Sequence, residues 1–524
     1  MQEEELKHQI LQHFSFTPTP EQDRALTILS RFLTDRDPRS IMIFRGSAGT
    51  GKTTISGSIV RTMLDLKMKV VLLAPTGRAA KVFSVNSGQA AYTIHRRIYR
   101  EKAYTGIGGI FNLAENRYKH TLFMVDEASM INRSPQPVEK KSSESGFGSG
   151  SLLDDLIQYV YSGQHDRLVL IGDQAQLPPI GEDESPALCA SVIQSYGLKV
   201  FQCDLNEVLR QKRGSGILSN ASNLRKIILS FKETSFEGAL TAPEIQFDGF
   251  ADVSCLSGAD FVEQLSGSYD EVGMDETIVI TRSNKRANIY NQGIRNQVLG
   301  MEDELCGGDR IMIVRNNYYW MMKGSGGDHT VTSSLPASTP DEPHGLLARL
   351  GEAPSQQQDS CLDFLANGDR AEVERVHHVR ELYGFHFADV DLRFPDYDDQ
   401  ELSATVIMDS LVTESPALSR EQANELFSRI MEDYTDLPRK ADRMSRLRGD
   451  AYFNALQIKF AYAVTCHKAQ GGQWKHVYLD QGYMTDEMFS PSYFHWLYTA
   501  ITRATSKLYL INWPKTQTEG MEHD

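Results

Sequence analysis

The chain has 524 residues, 40% of them hydrophobic, and a formal charge of −15 at pH 7. That is enough apolar material for several cores, so a disordered chain is excluded, and domain sizes of about 100–200 residues suggest three or four units. No apolar run approaches the ~20 residues that cross a bilayer, and the acidic, polar start MQEEELKHQI does not read as a signal peptide.

Six cysteines (Cys189, Cys203, Cys255, Cys306, Cys361 and Cys466) are scattered singly, with no C-x-x-C pair. This argues against a zinc ribbon or a disulfide framework and suits a reducing, cytoplasmic setting. The negative balance does not favour nucleic acid, yet a groove needs only local positive charge.

Residues 1–37 read as helical, broken at Thr17-Pro18-Thr19-Pro20. The amphipathic run after the break carries Ala25, Leu26, Leu29 and Phe32 on one face, and Gln22 near its start could pair its amide with an adenine edge. The apolar run Ile41 to Phe44 leads into Gly46-Ser47-Ala48-Gly49-Thr50-Gly51-Lys52-Thr53, followed by a helix-compatible segment from Thr54. Strand, glycine loop and helix in that order form a phosphate cradle. The loop amides point inward, Lys52 reaches the β- and γ-phosphates of ATP, and Thr53 offers its hydroxyl to Mg²⁺.

Val70 to Ala74 is a second buried strand, ending at Pro75-Thr76-Gly77-Arg78, the edge where ligands of open α/β sheets gather. Thr93-Ile94-His95-Arg96-Arg97 opens a further helical piece whose hydroxyl, imidazole and guanidinium groups suit backbone phosphates. Two short arms around Glu115-Asn116, within about 104–120, suggest a β-hairpin with Phe111 and Tyr118 as its aromatics. Leu122 to Val125 is the third strand. At its tip Asp126 can hold Mg²⁺ and Glu127 can polarise an attacking water. Residues 133–152 form a Ser/Gly/Lys-rich loop expected to be mobile. The strand Leu168 to Ile171 ends in a turn where Gln176 could sense the γ-phosphate. Arg210 is the first candidate cation for charge on a transferred phosphoryl group.

Thr277 to Ile280 begins a second α/β region, and residues 308–320 are strand-like. Residues 324–359 are rich in Gly, Ser, Pro and Gln and read as a flexible insertion. From Phe364 a period-two alternation sets in, with strands expected at 370–379, 383–394 and 402–410 and a helix at 419–433. This reads as a small all-β barrel. Leu456 to Val464 then returns to the sheet and delivers Thr465-Cys466-His467-Lys468-Ala469-Gln470-Gly471-Gly472.

Taken in order, GSAGTGKT, APTGRAAK, VDEASM, GDQAQLPP, LNEVLRQ, TCHKAQG and YTAITRA resemble the helicase motifs of superfamily 1B, and the chain is most similar to its RecD-like and Dda-like group. The resemblance implies an α/β fold of two RecA-like parallel-sheet domains, with a β-hairpin inserted in the first and an SH3-like barrel in the second. The expected divisions are 1–37, 38–205, 206–320, 321–362 (the flexible insertion), 363–450 (the barrel) and 451–524.

It further implies an ATP hydrolase that moves 5′ to 3′ on single-stranded DNA and opens duplex in replication, recombination or repair. Lys52, Thr53, Asp126, Glu127, Gln176, Arg210 and Arg503 would be its catalytic residues. ATP would lie against Gln22, Gly46, Ala48, Gly49, Thr50, Gly51, Thr54 and Gly472, with Mg²⁺ on Thr53 and Asp126. DNA would contact Pro75, Thr76, Thr93, His95, Asn284, Thr465, His467 and Lys468, and Phe111 and Tyr118 would serve the strand-separating pin. The expected partners are single-stranded and forked DNA and proteins of repair or replication, met by a monomer in the cytoplasm and away from membranes. An RNA-directed motor and an ATP-switched subunit of a larger complex remain as alternatives.

Overall fold

The computed structural model describes residues 2–14, 16–104, 109–134, 146–207, 214–233, 240–317, 319–324, 365–514 and 517–519. Arg210 lies outside them, as do residues 135–145 of the loop at 133–152 and nearly all of the expected insertion at 321–362.

The first sheet has six strands, in the order Ala91–Thr93, Lys69–Ala74, Thr121–Val125, Arg167–Gly172, Ser40–Gly46 and Lys199–Leu205. Every adjacent pair is parallel. Its inner strands are covered on both faces, so they read as unbroken apolar runs rather than as alternations. Met42, Phe44, Met124 and Ile171 pack against the helices Pro20–Thr34 and Lys52–Asp65. Their neighbours Ile41, Ile43, Phe123 and Leu170 face the helix Leu152–Tyr161. The register sets Arg45 beside Gly172 and Val125 beside Leu170, so the glycine loop and the turns after Val125 and Gly172 share one sheet edge.

The second sheet is also parallel, in the order Val253–Leu256, Ala504–Ile511, Trp474–Asp480, Thr277–Thr281 and Ala463–Thr465. A closed five-stranded barrel joins it, made of Arg310–Ile313, Arg370–Leu382, Phe385–Phe394, Gln400–Ile407 and Leu456–Phe460. Two parallel sheets and one small barrel are the fold class that the sequence implies.

Two expectations need correction. The barrel draws its first and last strands from outside 363–450. The run Leu456 to Val464 is not one strand of the second sheet: Leu456–Phe460 closes the barrel, and only Ala463–Thr465 enters the sheet. The transfer happens at two residues, where the Ala461 amide donates to the Arg310 carbonyl and the Tyr462 carbonyl accepts from the Val279 amide. Both pieces are buried, so the sequence presents a single apolar stretch across the switch.

The hairpin also differs. It pairs Tyr99–Tyr104 with Gly109–Leu113, and its connection at 105–108 lies outside the described residues. Glu115-Asn116 is not its turn. The Asn116 amide nitrogen instead donates to the Tyr159 and Val160 carbonyls and to Asp166, tying the segment to the first sheet's helix layer. Among the described residues no helix is long and apolar enough to cross a membrane.

Candidate functional site

The glycine loop turns between Gly46, the last residue of its strand, and Lys52, the first of its helix. Gly49 and Gly51 have φ of 79° and 91°, the left-handed region that side-chain-bearing residues avoid. A Cβ on Gly46 would stand 2.8 Å from Thr50 Oγ1. That hydroxyl donates to the Ser47 carbonyl at 2.9 Å and ties the loop across itself. Ala48, Gly49, Gly51 and Thr54 are half-buried around it, and Thr53 is exposed.

Lys52 Nζ lies inside the loop, donating to the carbonyls of Gly46 (2.6 Å) and Ser47 (2.8 Å). Burial holds this ammonium below its ordinary pKa, against the pull of the Asp173, Glu127 and Asp126 carboxylates. Among the described residues Ser47 Oγ is buried without a partner. An ammonium already inside a glycine loop, beside an unsatisfied hydroxyl, fits a polyphosphate.

Asp126 directly follows the strand Thr121–Val125, and burial together with the neighbouring Glu127 carboxylate pushes its carboxyl up to about 7. Glu127 sits at φ 53°, an uncommon setting for a non-glycine residue, and its amide donates to Asp126 Oδ1 at 2.9 Å. Thr53 and Asp126 supply hydroxyl and carboxylate oxygens, the donor set that Mg²⁺ takes. No group of three or more His, Cys, Asp or Glu among the described residues could hold a metal alone. Mg²⁺ is commonly held by one or two protein oxygens together with substrate phosphates, where it neutralises charge.

The turn after Gly172 carries the contact between the two sheets. In the orientation that satisfies both neighbours, the Gln176 amide donates Nε2 to Glu127 Oε2 at 3.2 Å, and its Oε1 accepts from Arg503 Nη2 at 3.2 Å. Arg503 is 2% exposed. It donates Nε to the Thr499 carbonyl and Nη1 to the Gly472 carbonyl, both at 3.0 Å. The Leu177 amide donates to Thr499 Oγ1, Gln470 Nε2 to the Leu177 carbonyl, and His495 Nδ1 to the carbonyls of Ala175 and Gln176. Ala175 and Leu177 belong to the second sheet's hydrophobic core. A loop of the first lobe is thus packed into the second.

Three residues that the sequence did not single out complete this junction. Asp173, 1% exposed, accepts from the Arg225 guanidinium, from the Tyr498 hydroxyl and from the Ala175 amide. Burial would raise its carboxyl, but Arg225 and Lys52 outweigh that and hold it below the ordinary value. Arg225 lies on the helix Gly216–Glu233, where a lone arginine in an amphipathic run carries no signal of its partner.

Other expected residues take different places. Gln22 accepts from the Thr19 amide as part of a helix capping box and donates to the Thr50 carbonyl at 3.1 Å. Its amide is engaged at both ends, so reading a base would require exchanging one of these bonds. Gly472 supports Arg503 through its carbonyl rather than forming part of the glycine loop. Phe111 is 4% exposed within the first core. Tyr118 lies beyond the hairpin, edge-on to Phe123 at 5.3 Å, with its hydroxyl accepting from Arg97. As packed side chains, neither presents the exposed wedge expected of a pin.

Thr76, Asn284, Thr465, His467 and Lys468 line one cavity of about 700 Å³ where the two sheets and the barrel meet. Thr76 caps the helix Gly77–Ser87, accepting from the Ala79 amide, and Pro75 precedes it. Burial lowers His467 and brings Lys468 down to about 8. Thr93 caps the short helix Ile94–Ile98 and faces a separate groove lined by Lys81, Arg96 and Asp398. His95 is pulled down to about 4 by burial, so at neutral pH it offers no charge to a phosphate.

Family models match both halves: an AAA domain over residues 19–135 and a UvrD-like helicase C-terminal domain over 460–511. The ATP-dependent RecD2 DNA helicase of Deinococcus radiodurans is 29% identical over 184 residues, 35% of this chain and 21% of its own. The ATP-dependent DNA helicase dda of Enterobacteria phage T4 is 22% identical over 307 residues, 56% of this chain and 60% of its own. An uncharacterized protein of Methanocaldococcus jannaschii is 22% identical over 513 residues, 94% of this chain and 38% of its own. The chain therefore spans less than two thirds of each of these relatives. A solved Pif1 helicase from Bacteroides, in complex with ADP-AlF3 and ssDNA, aligns over 95% of this chain and 93% of its own at 13% identity, with a TM-score of 0.42. The chain thus shares with these helicases an AAA-type match in its first half and a UvrD-like helicase match near its end, and its two parallel sheets meet at the glycine loop's edge.

Proposed function

We propose that the chain is an ATP-hydrolysing DNA helicase that moves 5′ to 3′ along a single strand and opens the duplex ahead of it. The observation that carries this reading is the Gln176 bridge, which joins Glu127 of one lobe to Arg503 of the other. In this reading residues 38–205 act as one motor lobe, and the second parallel sheet with its helices acts as the other.

Lys52 holds the β- and γ-phosphates, and Thr53 and Asp126 would hold Mg²⁺, which would neutralise charge on them. Glu127 accepts the proton of the attacking water. Gln176 reports the state of that carboxylate to Arg503, and Arg503 stabilises charge on the transferred group. Arginines supplied in this way contribute factors of order 10³–10⁵ in rate. Arg210 is proposed as a second such arginine on its place in the motif series alone. Because Gln176 and Arg503 belong to different lobes, the same bonds that assist hydrolysis also fix the lobes' separation. Grip on the strand can then alternate between them. The protein works as a monomer on single-stranded and forked DNA, in the cytoplasm.

The test is strand displacement on duplexes bearing either a 5′ or a 3′ tail, alongside ATPase stimulated by matched DNA and RNA oligomers. Displacement from the 5′-tailed substrate with preferential stimulation by DNA is expected. Opening only of the 3′-tailed duplex would overturn the polarity, and stimulation by RNA alone would overturn the substrate.

A further inference from the structure

The cavity between the lobes joins one residue of the APTGRAAK motif to two that lie outside all seven motifs. Trp474, at the start of its strand in the second sheet, is 2% exposed. The guanidinium of Arg78, from the first lobe, lies 4.5 Å from the centre of its ring system. The guanidinium of Arg370, from the first residue of a barrel strand, lies 5.9 Å from the same ring. One indole therefore gathers a cation from each of two other parts of the molecule, and all three side chains line the cavity that holds Thr76, Thr465 and Lys468.

This grouping has no paired counter-charge: Glu414 lines the same cavity, and Asp396 and Asp275 attract Arg370 without forming an ion pair with it. Among the described residues neither arginine forms an ion pair with a carboxylate. Arg78 donates Nη2 to the Gln473 carbonyl at 3.1 Å, while its Nε is buried without a partner, as is Trp474 Nε1. Burial and the proximity of Arg78 bring Arg370 down to about 10. An indole face attracts a cation. It does not cancel the repulsion between two of them, and a half-buried cation with unsatisfied N–H groups is costly until an anion arrives. Two planar guanidinium forks held against one buried aromatic ring match a phosphodiester: the forks donate to phosphate oxygens, and the ring fixes where the forks lie.

We infer that Arg78, Arg370 and Trp474 form a binding subsite for one phosphodiester of single-stranded nucleic acid, assembled only when the first lobe, the second lobe and the barrel are together. This deepens the function proposed above and rests on it. A strand seated there is held by three parts of the chain at once, so the barrel takes a direct share in gripping the strand. Arg370 was unremarkable in the sequence because it follows the Asn367-Gly368-Asp369 turn as an ordinary strand residue, and only barrel closure directs it to Trp474.

The test is the salt dependence of binding of a fluorescent oligothymidylate to the full chain, measured for wild type, R78Q, R370Q, the double variant and the exposed control R117Q. Each phosphate contact on a single strand contributes a slope of about 0.7 in log affinity against log salt. R78Q and R370Q should each weaken binding roughly ten- to a hundredfold and flatten the slope in part, the double variant should flatten it by about 0.7, the share of one phosphodiester, and R117Q should change neither. R370K, which keeps the charge but loses the planar fork, should keep the slope and lose affinity. This variant also carries the test if R370Q does not fold. Wild-type binding with slopes unchanged in the glutamine variants would overturn the subsite and leave the helicase reading standing, the arginines then being only a latch between lobes. A wild-type chain that binds no oligothymidylate would overturn both.

Discussion

Replacing Arg225 with alanine would strand a buried carboxylate at the junction of the lobes. The Arg225 and Asp173 side chains are 8% and 1% exposed, so neither charge has water to fall back on. Removing one partner of such a pair costs about 3–5 kcal/mol. Asp173 would keep the Tyr498 hydroxyl and the Ala175 amide, which places the expected loss near the lower end, about 3 kcal/mol. Removing Asp173 as well should restore part of it, because the double variant leaves no unpaired charge. Urea unfolding followed by circular dichroism at pH 7, on R225A, D173A and the double variant, measures the coupling directly. At that pH the pair is intact. A carboxyl held below its ordinary value contributes stability above its unfolded pKa and loses it only as pH falls through the folded one. The double variant should be less destabilised than the sum of the singles by about 1–3 kcal/mol. If R225A is as stable as wild type, or the singles add to within about 0.5 kcal/mol, the ion pair does not hold the lobes.

Arg503→Ala should leave binding of a fluorescent ADP largely intact and cut DNA-stimulated ATPase by about 10³-fold or more; full turnover would remove Arg503 from the phosphoryl-transfer role. Phe111→Ala should cost about 3–5 kcal/mol of stability, as core aromatics do, so that ATPase and unwinding fall together in a thermal challenge. Loss of unwinding alone at an unchanged melting temperature would return Phe111 to the pin. Because the Asp126 carboxyl sits at about 7, binding of Mg·ADP should strengthen as pH rises from 6 to 8, and D126N should be flat across that range. A raised carboxyl binds its proton more tightly when folded, so its contribution to stability is present below the unfolded value of about 3.8 and is lost as pH rises through about 7. His95→Gln should leave the salt slope of strand binding unchanged, whereas Lys468→Gln should flatten it by about 0.7; a flattened slope in H95Q would mean that His95 is charged and facing the strand.

The glycine loop, the acidic pair and both sheets were legible because their signals are local. An apolar run buried on both faces, then a glycine pattern, then a helix leaves little choice of structure. The errors arose where the deciding contact is distant in sequence. Asn116 resembles a turn residue until its amide is seen holding Tyr159 and Asp166, more than forty positions away. Phe111 and Tyr118 look like hairpin aromatics, yet burial against Phe123 and its neighbours is worth more than display to solvent. The apolar run 456–464 cannot show that it changes sheets, because both of its halves are buried and only the partner strands differ. Arg225 and Arg370 were invisible for the same reason: their meaning lies in Asp173 and Trp474, which the chain brings to them from 52 residues upstream and from a strand beyond the barrel.

The arrangement of charge also constrains how the two binding events are linked. On the nucleotide side the lobes meet through the 173–177 turn, whose partners Arg225, Thr499 and Arg503 all lie on the second lobe. The cavity proposed for the strand gathers cations that burial disfavours: Lys468 at about 8 and Arg370 at about 10. Bringing these groups together without an anion is uphill, so an empty cavity opposes the closure that the 173–177 turn promotes. A bound strand removes the opposition, and a nucleotide bridging Lys52 and Arg503 adds to the promotion. Each ligand then favours the closed lobes by its own differential affinity, and at equilibrium the effect is reciprocal. The factor by which a non-hydrolysable ATP analogue tightens oligothymidylate binding must equal the factor by which oligothymidylate tightens binding of the analogue. R370Q should shrink both factors equally, although Arg370 touches no part of the glycine loop.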